Sequence, residues 1–440
     1  MSDSTTSSMN RVQRRIMDWV DEHRSDVVNL TQSLVRIPSE NKPPSGQERE
    51  CQMFIADFLR QIGCRVDMFR PDEVPGVTDH PEYWPGRDYA DRPNVVGALG
   101  QFDPQAARPK GRKSLLFSGH ADVTPALGKG LFGWWDATVE EGKMYGRGSN
   151  DMKGGMAAYL VAAKCLVDLK MELRGDLVLE SVVDEEFGGA NGTLACRVRG
   201  YNTDAAIVPE PNNMVISRGH RGGLGFRICT SAPSIGMGFG ESVLPDPVTA
   251  LAHILVALEK LNAEFNARPK AAGFEGVTFP LMPLLFKAGE TLPWGAGDSI
   301  PDTASFEVWL EIPEGVTKVG LVADIKGMIE KLTQDTPALQ RVSWRMDELT
   351  RFLPATSVPA DSPILDVLGT NLALASGQSP VFANAPFACD VFMFNLYSPT
   401  PCVLLGPRGG NSHSQDEWVD VEDLVTLTKT FALTMAQWLM

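Results

Sequence analysis

Cysteine is sparse and unpatterned in this 440-residue chain. The seven residues Cys51, Cys64, Cys165, Cys196, Cys229, Cys389 and Cys402 are scattered, odd in number and form no Cys-x-x-Cys pair. That excludes a disulfide framework and a thiolate zinc site of the usual spacing, and it suits a reduced, cytoplasmic protein with buried thiols. No run of about 18 apolar residues occurs, so no membrane-spanning helix and no membrane partner are expected. Basic residues number 40 against 55 acidic ones, a net charge of -15. A protein of that balance lacks the basic face nucleic acid requires. The Gly-Lys-Ser/Thr signature of a phosphate-binding loop is missing, as are internal repeats and long low-complexity segments. The polar, Ser/Thr-rich start, Met1–Asn10, lacks the apolar stretch of a secretory signal and reads as a flexible tail.

What is present is ordinary for a globular protein: 43% hydrophobic and 22% charged residues. A chain this long predicts about two or three domains. Apolar residues at helical spacing from Val12 to Val35 predict an amphipathic helix that ends before Pro38. A second helix is expected over Gln47–Ile62, stopped by Gly63. Strands are expected at Leu115–Phe117, Leu177–Val183 and Ala205–Val208, with a helix over Gly155–Leu169 between the first two. This alternation predicts a largely parallel sheet covered on both faces. The pattern changes near Arg218. An alternating strand, Leu224–Cys229, is followed by a Gly/Ser/Pro-rich loop to Pro247, a helix (Val248–Phe265) and a long irregular insert (Asn266–Pro301). A strand (Ala304–Leu310), a helix (Val319–Leu332) and a strand (Arg341–Trp344) complete the segment. Two strand-helix-strand units side by side predict a small α+β domain with an antiparallel sheet. Strand-helix alternation resumes from about Leu353, through Pro363–Ala375, Pro401–Leu405 and Val421–Met435. The expected division is a discontinuous domain of residues 11–217 and 353–440, with residues 218–352 inserted.

Ionisable residues stand at the ends of the apolar strands. The stretch Ser118-Gly119-His120-Ala121-Asp122 is followed by Gly148-Ser149-Asn150-Asp151-Met152-Lys153-Gly154-Gly155, by Asp184-Glu185-Glu186, by Glu210 and by His413. Taken singly these are unremarkable: a His-x-Asp is usually a satisfied pair, two adjacent glutamates a solvated turn. Together, flanked by apolar runs, they form an oxygen-and-nitrogen cage for two metal ions, because buried charge of this density needs neutralisation.

With these motifs, which span Asn94 to Glu417, the chain resembles the M20 metallopeptidase family of acetylornithine deacetylases, succinyl-diaminopimelate desuccinylases, aminoacylases and carboxypeptidase G-type enzymes. The resemblance implies an α/β fold: a phosphorylase/hydrolase-like catalytic domain with a doubly covered mixed sheet, and an inserted α+β, ferredoxin-like lid and dimerisation domain. It implies one or two divalent ions per subunit, zinc, manganese or cobalt, held by His120, Asp151, Glu186, Glu210 and His413. Asp151 would bridge, followed by a cis peptide bond; His120 and Glu210 would complete the first site, Glu186 and His413 the second. Asp122 would orient the His120 imidazole through its other ring nitrogen. Glu185 would be the general base, pointing away from Glu186 because successive strand-end side chains face opposite ways. A homodimer or higher homo-oligomer through the inserted domain and a small-molecule substrate are further implied.

Two family features are missing. The lid stretch Cys229–Gly238 contains no histidine where typical members carry one that stabilises the oxyanion, and the strand Phe306–Pro313 has no arginine for a substrate carboxylate. His220 and Arg221 are the nearest replacements. Loops at Asp72–Trp84 and Phe274–Trp294, rich in Pro, Trp, Phe and Met, suit either an apolar pocket or packing. The leading expectation is therefore a metal-dependent hydrolase of an amide-type C–N bond in a small molecule other than a standard N-acyl amino acid. The alternatives are an aminohydrolase (hydrolytic deaminase) acting on an activated aryl amine, and a non-catalytic metal-binding protein that kept the fold.

Overall fold

The computed structural model describes residues 9–188, 191–233, 244–270, 274, 277–289 and 300–440. Most of the expected N-terminal tail, the centre of the loop before Pro247 and parts of the insert Asn266–Pro301 lie outside these residues. The chain divides into two compact units, Met1–Gly219 with Ser357–Ala385 and Cys389–Met440, and His220–Thr356 with Pro386–Ala388.

The first unit is built on a mixed sheet. Its hydrogen-bonded order runs Ile216–His220, Cys402–Leu404, Ala206–Val208, Ser114–His120, Asp176–Val182, Asn94–Leu99, Arg65–Phe69. The centre is parallel, Ser114–His120 lying between Asp176–Val182 and Ala206–Val208. The margins are antiparallel, Asn94–Leu99 against Asp176–Val182 on one side and Ile216–His220 against Cys402–Leu404 on the other. The antiparallel strands Arg65–Phe69 and Asn94–Leu99 were not among the expected ones; Arg65–Phe69 is a short, half-buried strand at the sheet edge. Every residue of Ser114–His120 and Asp176–Val182 is buried, as expected for strands covered on both faces. On one face Phe117 packs on Tyr159 and Phe431, from the helices Gly154–Asp168 and Val421–Leu439. On the other, Glu180 pairs with Arg197 of the helix Asn191–Arg199, whose guanidinium lies 4.1 Å over the Phe394 ring.

The expected first helix is two, Arg11–Glu22 and Arg24–Val35, broken at His23. The His23 ring leaves the helical path to stack on Trp19 at 4.2 Å, with Nδ1 bonded to the Trp19 carbonyl at 2.8 Å.

The second unit has the strand-helix-strand-strand-helix-strand order of a ferredoxin-like fold. The four-stranded antiparallel sheet runs Leu281–Ala288, Thr303–Ile312, Gly222–Ser231, Ser343–Glu348. One face carries Leu224, Phe226, Ile228, Phe306, Val308 and Leu310 against Leu251, Ile254 and Leu258 of the helix Pro247–Ala267 and Leu321, Ile325 and Ile329 of the helix Lys318–Asp335. The strand Leu281–Ala288 was hidden in the irregular insert. It is an edge strand that leaves Leu284, Leu285 and Phe286 exposed, so its apolar residues show no alternation to read.

Candidate metal centre

The candidate residues converge at the carboxyl ends of the parallel strands of the first unit, where open α/β sheets place their ligands. His120 is the last residue of its strand and fully buried. Gly119 before it has no room for a side chain, since a Cβ there would stand 2.7 Å from Met156 Cγ. The helix that follows Asp151 therefore lies directly against the strand end.

The His120 imidazole is oriented by the Asp122 backbone carbonyl, which accepts from Nδ1–H at 2.7 Å. The Asp122 carboxylate, expected to do this, is 3.8 Å from Nδ1. It is engaged instead by the backbone N–H groups of Glu185 (3.2 Å) and Glu186 (3.1 Å) and by Asn41 Nδ2 (2.8 Å). With the proton on Nδ1, Nε2 is left as a lone-pair donor. It faces Asp151 Oδ1 at 3.2 Å, Glu210 Oε1 at 3.4 Å and Glu185 Oε2 at 4.0 Å.

Asp151 presents its second oxygen to the other imidazole: Oδ2 lies 3.2 Å from His413 Nε2, which is 2.9 Å from Glu186 Oε2. The Asp151–Met152 peptide bond is cis. One carboxylate thus serves two clusters, one with His120 and Glu210 and one with Glu186 and His413. Atoms of His120, Asp151 and Glu186 also lie close together, as do those of His120, Glu185 and Glu210. The direct imidazole–carboxylate contacts are the better guide, because a ligand's lone pair must point at its ion. The His413 side chain is 55% exposed while those of His120, Glu186 and Glu210 are buried, so the centre opens to solvent on the His413 side.

Four carboxylates and two imidazoles meet here without another cationic side chain among these contacts. Their burial and mutual charge shift the titration of His120, His413, Asp151, Glu185 and Glu210. Burial would lower the His120 imidazole, but the Glu210 and Asp151 carboxylates hold it well above its ordinary value. The Glu186 charge does the same for His413 against the effect of burial. Burial would raise Asp151, yet hydrogen bonds from both imidazoles hold it well below the carboxylate range. Burial raises Glu185 far above that range and, with the Asp151 charge, pushes Glu210 up to about 8. Protons are standing in for positive charge that the donor set lacks. Carboxylate oxygens and imidazole nitrogens fit divalent zinc, manganese or cobalt.

Glu185 and Glu186 do not differ in direction through strand alternation, as the sequence suggested. The strand stops at Val182, and the pair follows Asp184, which adopts the left-handed conformation at φ 70°. The Asp184 side chain is fully buried and held by Arg87, by Tyr89 Oη at 2.6 Å, by Asn41 Nδ2 at 3.1 Å and by Arg92 Nη2 at 3.2 Å. Arg92 in turn grips Glu48 through three contacts of 2.6 to 3.0 Å. Sequence reasoning missed Asn41, Glu48, Arg87, Tyr89 and Arg92. Their partners lie up to 143 residues away, and no local periodicity announces them.

The remaining expectations fall as follows. His220 belongs to the second unit. Its Nδ1 bonds to the Arg221 carbonyl at 2.6 Å and burial lowers it to about 4, so it stays neutral. Arg221 is paired with Glu311, on the very strand where an arginine was missing. The stretch Asp72–Trp84 serves packing: the Trp84 backbone exchanges hydrogen bonds with the Asn191 amide and the His80 ring meets Tyr397 edge-on. Phe274 packs against Phe279. The rest of the lid stretch from Ser234 and much of the insert to Trp294 lie outside the described residues. A cavity of about 440 Å³ lined by Lys113, Asp204, Ser362 and Trp438 opens near the amino end of the strand Ser114–His120, away from this chemistry.

The pattern of peptidase family M20/M25/M40 matches residues 116–437, and the chain belongs to that family. It is a hydrolase acting on carbon–nitrogen bonds, in a family of metal-dependent amidohydrolases. An N-formyl-4-amino-5-aminomethyl-2-methylpyrimidine deformylase of Bacillus subtilis (strain 168) is 26% identical over 443 residues, covering 95% of this chain and 96% of that protein. A succinyl-diaminopimelate desuccinylase of Gluconacetobacter diazotrophicus is 29% identical over 370 residues, covering 81% and 86%. A dinuclear metal-binding peptidase of the M20 family from Bacillus subtilis shares the fold with a TM-score of 0.61 at 15% identity, over 95% of this chain and 99% of that one. No helix among the described residues is long and apolar enough to cross a membrane.

Two outcomes follow from this geometry. His120→Ala and His413→Ala each lower the metal content of reconstituted protein, measured by elemental analysis; full content in both variants contradicts the ligand assignment. Arg92→Met leaves Glu48 buried without its cationic partner. Breaking a buried pair on one side costs about 3–5 kcal/mol, so denaturant unfolding should show a loss of that size, and a loss under about 1 kcal/mol would mean the network is dispensable.

Proposed function

We propose that the chain hydrolyses the amide bond of a small N-acyl amine whose amine portion carries no carboxylate. A short acyl group such as formyl, on an aminomethyl heteroaromatic, is the favoured class. The observation that carries this reading is the Arg221–Glu311 pair. A strand that would offer a cation to a substrate carboxylate offers a glutamate, and the nearby arginine is consumed by it. Within its own unit that pair engages both side chains with each other, so neither charge is left for a substrate group. The deformylases of two bacilli, whose named substrate is a neutral aminomethylpyrimidine, support the same class.

In this reading His120, Asp151, Glu186, Glu210 and His413 hold two divalent ions, which when bound supply Lewis acidity and lower the pKa of a water toward about 7. Glu185 does the proton work. Its carboxylate, 4.0 Å from His120 Nε2, takes a proton from the attacking water and returns it to the leaving nitrogen. The Glu185 N–H is held by the Asp122 carboxylate, which fixes the base relative to His120.

The comparison that tests the reading is kcat/KM on N-formyl-aminomethylpyrimidine against N-succinyl-diaminopimelate and N-acetylornithine. The formyl compound should reach about 10⁴ M⁻¹s⁻¹ or more, within the range of cognate substrates, and the carboxylated compounds should fall at least about 100-fold lower; the reverse order contradicts it. Glu185→Gln should keep its metal and lose about 10²–10⁴ in kcat. Loss of metal instead would make Glu185 a ligand, and near-normal turnover would remove it from the mechanism.

A further inference from the structure

We propose that Glu417 is the positioning residue that keeps the bridging aspartate and the terminal histidine in register, so that the second cation site exists only while its carboxylate is in place. The proposal rests on the ligand assignment above. Glu417 lies four residues beyond His413 and is wholly buried. Its Oε1 accepts from the backbone N–H groups of Asn150 and Asp151, both at 3.0 Å. Its Oε2 accepts from the Gly148 N–H at 2.9 Å and from Arg147 Nη1 at 2.6 Å. The Glu417 carbonyl also accepts from the Gly146 N–H at 2.9 Å. One side chain therefore holds the whole turn that presents Asp151.

The same turn is tied to the other side of His413, where Asn150 Nδ2 donates to Ser412 Oγ at 2.8 Å. His413 is thus bracketed by two ties to the Asp151 turn. Its own loop closes with the Ser414 N–H on the Asn411 carbonyl at 2.9 Å and Asn411 Nδ2 on the Asp416 carbonyl at 3.2 Å, yet Asn411, His413 and Asp416 have φ of 57°, 61° and 54°. Non-glycine residues rarely hold the left-handed region unless their surroundings impose it. His120 and Glu210, by contrast, follow strands locked in the sheet. Loss of Glu417 should release His413 from Asp151 and leave the His120–Glu210 side standing. Glutamine cannot substitute. Both carboxylate oxygens accept from two donors each, so whichever way the amide is turned its NH₂ group faces two N–H donors.

Zn²⁺ titration of metal-free protein by calorimetry tests this, with circular dichroism to show that the variants are folded. The wild type should take up two ions per chain. Glu417→Gln should keep one tight site and weaken the second by at least about 100-fold, and on loaded protein should lower kcat with KM changed less than about threefold. Ser412→Ala, a milder change that removes one neutral hydrogen bond, should weaken the second site by about 5- to 10-fold and decides the matter if Glu417→Gln does not fold. Wild-type-like uptake of both ions by the folded variants, or equal weakening of both sites, overturns the role of Glu417. A wild type that binds fewer than two ions overturns the ligand assignment, and the proposal with it.

Discussion

The structure depends on a surplus of buried negative charge. Asp151, Glu185, Glu186 and Glu210 crowd around two imidazoles near the ends of strands that are buried on both faces. Carboxylates at such separations in a low-dielectric setting cannot all ionise on their own. Either protons or cations must join them. Without cations, His120 and His413 are held well above and Asp151 well below their ordinary values, and Glu185 and Glu210 are raised.

The rest of the first unit reads as the scaffold of that cluster. Behind the ligands lies a second tier of buried acids, four of which have a basic or amide partner: Asp184 with Arg87 and Arg92, Glu48 with Arg92, Glu417 with Arg147, Asp122 with Asn41 and two backbone N–H groups; Asp390 is held by the Thr193 hydroxyl. The inner cluster is short of positive charge, whereas these four supporting acids are each engaged by a basic or amide group. That contrast separates groups that await a cation from groups that hold the fold. Two of the supporting carboxylates act on the backbone that bears the candidate ligands. Asp122 takes the N–H groups of Glu185 and Glu186, and Glu417 those of Asn150 and Asp151, so the ligands are placed by fixing the turns that bear them.

The convergence of His120, Asp151, Glu186, Glu210 and His413 was legible because several stand at the ends of apolar runs, where an ionisable residue is conspicuous: His120 after Leu115–Phe117, Glu210 after Ala206–Val208. Short range also sufficed for the helix after Asp151, opened by two glycines. The supporting tier was not legible. Arg87 and Arg92 sit in a polar loop with nothing local to mark them, and their partners arrive through the sheet. The role given to the Asp122 carboxylate failed for a related reason. The sequence shows which group lies two residues from His120, but not that its carbonyl is closer than its side chain. Glu417 stood in plain view beside His413 and was passed over, since a buried acid and a solvated turn look alike in one dimension. The strand Leu281–Ala288 was lost because an exposed apolar edge has no alternation.

The central claim is that Asp151 lies between two cations. Anomalous scattering from crystals grown with Mn²⁺ tests it most directly, because it locates the ions without reference to activity. Two peaks per chain about 3.5–4 Å apart, the spacing of paired catalytic metals, one beside His120 and Glu210 and the other beside Glu186 and His413, are what the charge balance demands. A single peak coordinated by both histidines, or no peak within reach of Asp151, would contradict it.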